Sequence, residues 1–162
     1  MRRTFAAPSP TTRPRIAQID NAGIAERDST FETRPREAAD ALAWLDSGER
    51  FPVLVAGAQE VCGWARIAVY SPQPSYAGVG EVSIYVDREA RARAWAAPCS
   101  RSSPAGWPSW ATWKLTGKLF PENEASVRLV RRNSWRHVGL HLRHGNLEGE
   151  WRDVLVVERL LR

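Results

Sequence analysis

Apolar side chains at Ile16, Ile19, Ile24 and Ala25 recur at roughly helical spacing and predict a helix over residues 15–27. Residues 28–36 are polar, include a proline, and read as a loop. Over residues 37–48, Ala41, Leu42, Trp44 and Leu45 form the apolar face of a second, amphipathic helix, which Gly48 stops. The period then changes. Residues 51–58 are a short apolar run and predict a buried strand. Residues 60–72 predict another, and the AGAQE stretch between them turns the two into a hairpin. A third strand covers 78–87, with Glu81, Ser83 and Tyr85 on one face and Val82, Ile84 and Val86 on the other.

This order breaks in the next stretch. From Ala94 to Thr112 the only charged residue is Arg101, Trp95, Trp107 and Trp110 crowd together, and Pro98, Pro104 and Pro108 rule out a continuous helix. Order then returns, with a strand over 113–120 and a helix over 123–135 that Asn123 can cap. Residues 136–145 and 150–161 read as a closing hairpin joined by NLEG. The sum is an α/β or α+β sheet with helices on its faces and no internal repeat.

Composition narrows the class. A chain of 162 residues suits one domain spanning 1–162 and is short for two. No apolar run approaches the ~18–20 residues of a membrane span. The start has basic residues but no apolar signal core, so a cytoplasmic protein is expected. The net charge of +5 invites a nucleic-acid reading, but the arginines are interspersed with Asp and Glu rather than gathered in a patch. An anionic cofactor or acidic substrate fits that balance equally well, and neither nucleic acid nor membrane is expected as a partner. Cys62 and Cys99 make no disulfide framework, and Cys62 reads as a buried small hydrophobe. His137, His141 and His144 lack the cysteines or carboxylates that would complete a metal site, so no metal is expected.

Four ordered segments carry a resemblance: IAQIDNAGIAERDSTFET, GEVSIYVD, LFPENEASVRLVRR and RHGNLEGEWRDVLVVERLL. Together they resemble the Gcn5-related N-acetyltransferases, specifically their phosphinothricin N-acetyltransferase branch, over nearly the whole chain from Arg15. The resemblance implies a mixed, mostly antiparallel sheet flanked by helices. It also implies acetyl transfer from acetyl-CoA to the amino group of phosphinothricin (glufosinate), which inactivates that herbicide and antibiotic and confers resistance. Methionine sulfoximine, methionine sulfone or another small amine is the alternative acceptor, and a non-catalytic relic of the fold is a further one. The partner is a small amino-acid-like molecule, and a homodimer is possible.

Residue by residue, the resemblance makes Glu81 the base that deprotonates the amine; on spacing alone Glu81 is a surface glutamate. Ile84, Tyr85 and Val86 match the segment whose backbone pairs with the pantetheine arm, and Asn123 matches a cofactor-contacting asparagine that is also a simple helix cap. Phe31 and Tyr76 match positions lining the amino-acid pocket. Ala92, Arg93, Ala94, Trp95, Ala96 and Ala97 occupy the pyrophosphate-loop position, where the family has glycines that let backbone N–H groups approach the phosphates at a helix N-terminus. Those glycines are missing. Read one base earlier in GC-rich codons, residues 94–100 become Gly-Val-Gly-Arg-Ala-Leu-Leu, the expected loop, and residues 107–112 become Leu-Ala-Glu-Leu-Gly-Tyr. The same operation on residues 5–13 gives a plausible first strand. Two compensated frame changes, near 1–13 and 94–112, in the recorded sequence or in the gene, are therefore expected, with the cofactor-loop helix disrupted; a natural Pro/Trp-rich insertion is the alternative. Val130 stands where the family often has a tyrosine acid and this branch can have histidine, and Ser134-Trp135 replaces a Gly-aromatic pair.

Overall fold

In the computed structural model, residues 4–6, 9–40, 53–57, 60–93 and 112–161 are described. Among them, seven strands form one sheet in the order β1-β2-β3-β4-β5-β7-β6. The strands are β1 (Thr4–Ala6), β2 (Val53–Gly57), β3 (Val61–Val69), β4 (Val79–Val86), β5 (Lys114–Leu119), β6 (Arg136–Leu147) and β7 (Glu150–Leu160). Helices α1 (Arg13–Glu26) and α2 (Glu124–Arg132) pack with it, and short 3₁₀ turns at Pro10–Thr12, Pro74–Tyr76 and Arg88–Arg93 join the elements. All neighbouring strands are antiparallel except β4 and β5, which run parallel. The fold is α/β with a mixed, mostly antiparallel sheet, as expected. Strand β1 was not expected: three residues are too few to show a period, and only its pairing with β2 reveals it.

Alternation along the strands gives the sheet two covered faces. On one face, Ile16 and Ile19 of α1 pack on Val55 and Trp64, with Tyr85 against the same cluster. On the other, Leu54, Ile67, Leu115, Trp135 and Val157 form a core that Val82 and Val130 also join. Neighbours such as Leu54 and Val55 thus face opposite ways. Asp20 on α1 is 5% exposed, and burial pushes its carboxyl up while Arg36 and Arg66 pull the other way.

Helix α2 shows why its sequence ends where it does. The Asn123 carboxamide oxygen accepts from the Ser126 N–H at 2.9 Å, capping the first turn, while Glu124 at the start and Arg131 and Arg132 at the end suit the helix dipole. At the far end the N–H of Trp135 donates to the Val130 carbonyl and that of Ser134 to the Arg131 carbonyl, the two bonds of a Schellman turn. This turn needs a left-handed residue, and Ser134 takes it with φ 60°. Trp135 is thereby swung into the core beside Val130. The expected helix over 123–135 therefore ends at Arg132, and its last residues form the turn.

The closing hairpin is tighter than expected. Strand β6 runs on to Leu147, and Glu148 and Gly149, with φ 52° and 95°, make a two-residue turn of the twist hairpins favour. Cys62 is half-buried rather than buried, and its thiol donates to the Ala56 carbonyl at 3.2 Å. The helix expected over 37–48 is described only at its start, where residues 38–40 are helical. The window 94–111 lies outside the described residues, and with it the expectation of a disrupted helix there. Among the described residues no helix is long and apolar enough to cross a membrane.

Candidate active site

Strands β4 and β5 pair over only three positions: Val79 with Lys114, Gly80 with Leu115 and Glu81 with Thr116. Beyond Glu81 they separate. On its other side β4 stays paired with β3 all the way to Val86. The β5-facing edge of residues 82–86 is therefore left without a strand partner among the described residues. A cleft of about 600 Å³ opens in the fork, with Glu81, Ser83, Ile84 and Tyr85 on one wall and Lys118, Leu119 and Phe120 on the other.

Glu81 sits at the apex of this fork, the last β4 residue paired with β5. Its carboxylate lies 3.0 Å from the Lys118 ammonium, and both side chains are partly exposed. Four residues further along the same face, Tyr85 is mostly buried and stacks on Trp64 with ring centroids 4.9 Å apart. Burial pushes the Tyr85 phenol up, against a smaller opposing effect of a hydrogen bond with Thr30. Tyr85 is thus a neutral wall and no competing base.

The loop after α1 forms the roof, and several local ties hold it. Asn21 clasps Arg36 from both sides, donating to its carbonyl at 2.9 Å and accepting from its N–H at 2.6 Å. The Arg36 guanidinium bridges to Glu32 at 2.8 Å. Asn123 donates to the Asp28 carbonyl at 3.1 Å, linking the roof to the start of α2. Phe31 meets Phe120 edge-on at 4.9 Å. Gly145 lies so close that a Cβ there would stand 2.4 Å from the Phe31 ring.

The far wall comes from an irregularity in β6. Between the pairs His141–Val154 and Gly145–Arg152, β6 places three residues, Leu142, Arg143 and His144, against the single Asp153 of β7. Arg143 takes φ 48°, and its N–H donates to the Asp153 carboxylate at 2.8 Å. Such a bulge re-aims side chains, and His144 lines the cleft with its ring stacked 4.5 Å from that of His141.

The structure thus gathers Glu81, Ile84, Tyr85, Asn123 and Phe31 around one cleft. It does not bring Tyr76 there: that residue ends the short turn Pro74–Tyr76 and packs edge-on against Tyr70. Val86 is not on the cleft wall, and its carbonyl accepts from Arg91. Ala92 and Arg93 close the 3₁₀ turn Arg88–Arg93, whose start is fixed by Asp87, bonded to Arg15 at 2.6 Å and to the Glu89 N–H at 2.9 Å. Ala94, Trp95, Ala96 and Ala97 lie outside the described residues. Val130 packs in the core beside Trp135, so no acid reaches the cleft from there. Lys118 and His144 were missed as site residues. The register of β5 against β4 places the first, and a bulge the second; neither has a local sequence signal.

Among the described residues no group of three or more His, Cys, Asp or Glu could hold a metal ion. A pantetheine arm does fit, because the unpaired edge of residues 82–86 offers backbone groups to an extended chain as another strand would.

A mixed sheet forked between two parallel strands is the architecture of the Gcn5-related N-acetyltransferases, and the chain has that fold. Within it the chain resembles the phosphinothricin N-acetyltransferase branch. It is 29% identical over 152 residues to the phosphinothricin N-acetyltransferase of Streptomyces coelicolor, covering 90% of this chain and 89% of that one. It is 25% identical over 149 residues to an L-methionine sulfoximine/L-methionine sulfone acetyltransferase of Pseudomonas aeruginosa, covering 90% and 87%. Among solved structures, the phosphinothricin acetyltransferase of Sinorhizobium meliloti in complex with AcCoA superposes with a TM-score of 0.81 at 20% identity, over 99% of this chain and 89% of that one. No protein-family profile matches the chain.

Proposed function

We propose that the protein is an acetyl-CoA-dependent N-acetyltransferase whose acceptor is phosphinothricin or a close glutamate-like analogue. The observation that carries this reading is the placement of Glu81 at the apex of the β4–β5 fork, next to a strand edge with no strand partner among the described residues. The names of the relatives support the same chemistry.

Acetyl-CoA would supply an activated acetyl thioester. The backbone of Ile84, Tyr85 and Val86 would pair with its extended arm, and Asn123 would meet it where the strands have parted. An amino acid arrives with its nitrogen protonated, and a protonated nitrogen has no lone pair to offer. Glu81, directly or through water, takes that proton and passes it to solvent. Phe31 and Phe120, packed edge-on, would form the apolar roof over the acceptor. No side chain near Val130 serves as acid, and a thiolate leaving group needs little protonic help.

Methionine sulfoximine or methionine sulfone is a second reading, favoured by the Pseudomonas relative named for them. Thiol release from acetyl-CoA, with mass spectrometry of the acceptor, tests both. Phosphinothricin is expected to gain one acetyl group and to outpace the two methionine derivatives in kcat/KM. Faster transfer to either derivative would select the second reading. Transfer to none would leave a relic of the fold.

A further inference from the structure

Glu81 is not alone at the fork. Its carboxylate is joined by the ammonium of Lys118, two residues beyond the last β5 position paired with β4. We propose that this ion pair is a template for a zwitterion: the acceptor's ammonium replaces Lys118 on Glu81, while its carboxylate replaces Glu81 on Lys118. Lys118 is then the residue that selects α-amino acids over simple amines. The inference rests on the acetyl-transfer reading and names the group that recognises the acceptor.

Three observations carry it. The pair lies inside the cleft, with both residues on its walls. The Nζ–Oε2 distance of 3.0 Å brings together one positive and one negative group, and an α-amino acid carries the same two groups on a single carbon. The side chains keep 46% and 32% of their exposure, so the pair is reachable and is held by no more than a surface ion pair. Exchange is therefore cheap.

The exchange also discriminates. With an amino acid bound, the charges alternate from Glu81 to ammonium to carboxylate to Lys118, and each keeps an opposite neighbour. A simple amine would claim Glu81 and leave Lys118 to water, so only an amino acid gains the second charge-assisted contact. The other acid of the cleft, Glu32, is bonded to Arg36 and does not take over Lys118.

The test uses the full chain with phosphinothricin and its decarboxylated counterpart, 3-aminopropyl(methyl)phosphinate. KM and kcat are measured for the wild type, Lys118→Met and Lys118→Arg, and the binding of each amine is titrated calorimetrically without turnover. Lys118→Met is expected to raise KM and Kd for phosphinothricin by about tenfold or more relative to the decarboxylated amine, the loss of one charge-assisted contact. The change in kcat is expected to be smaller, and Lys118→Arg should recover most of the loss. Equal effects of Lys118→Met on both amines, or no effect on either, would overturn the template while leaving acetyl transfer intact. A wild type that neither binds nor acetylates either amine would overturn both.

Discussion

Glu81 illustrates how far a single residue can be read before its neighbours are known. Alternation along residues 78–87 placed it on one face of a strand but gave no reason to prefer it over Ser83. The structure adds the reason: pairing of β4 with β5 stops at Glu81, so its side chain stands where the cleft begins. Glu81→Gln keeps the shape and removes the base. Turnover is expected to fall by about 10²–10⁴-fold, with acetyl-CoA affinity nearly unchanged, as steady-state kinetics and a binding titration would show. Loss of affinity with intact turnover would remove Glu81 from catalysis. Tyr76 marks the opposite case. A residue in an irregular loop carries no period, and the structure seats it against Tyr70, outside the cleft.

At the scale of elements, most strands were legible because one-sided burial imposes a period of two, and α2 because its cap and its charges agree. What could not be read was pairing, and pairing makes the site. The bulge that turns His144 inward has no local signature, and the parallel register that puts Lys118 beside Glu81 joins segments far apart in sequence. Two predictions belong here. Ser134 holds the left-handed position of the turn after α2, where glycine would carry no Cβ strain. Ser134→Gly is expected to raise stability by about 1 kcal/mol, read as a higher midpoint in urea; a lower midpoint would show that the hydroxyl matters more than the backbone. Glu158 on β7 ties three strands, with Lys114 of β5 at 2.5 Å and Arg136 of β6 on the other side. Hydrogen bonds from Lys114 and then Arg136 hold its carboxyl below the usual carboxylate range. A lowered folded-state pKa stabilises the fold above the unfolded value, about 4.3 for Glu, and that contribution is lost as pH falls through the folded value. Glu158→Gln should therefore lower the thermal midpoint at pH 7, and the gap from wild type should close below about pH 4. A gap independent of pH would contradict this.

Across the whole molecule, the proposed cofactor site combines the forked sheet with residues 94–97, which match the family's pyrophosphate loop in position and lack its glycines. Replacing Ala94-Trp95-Ala96-Ala97 by Gly-Val-Gly-Arg, with the following helix restored, is expected to tighten acetyl-CoA binding by roughly tenfold or more for each backbone N–H regained on the pyrophosphate. Calorimetry on both chains in one buffer measures the difference. Equal, tight binding by both would mean that the present sequence is a working alternative loop, and an unambiguous genomic read of the present frame would exclude the compensated frame changes. The central claim, that the fork between β4 and β5 receives acetyl-CoA, is most directly tested by amide hydrogen exchange with and without saturating acetyl-CoA. Slowed exchange is expected to concentrate in residues 82–86, where an added strand would cover the β4 edge that has no strand partner among the described residues. Bound acetyl-CoA with unchanged exchange across those residues, or no binding by either this chain or the loop-restored one, would contradict it.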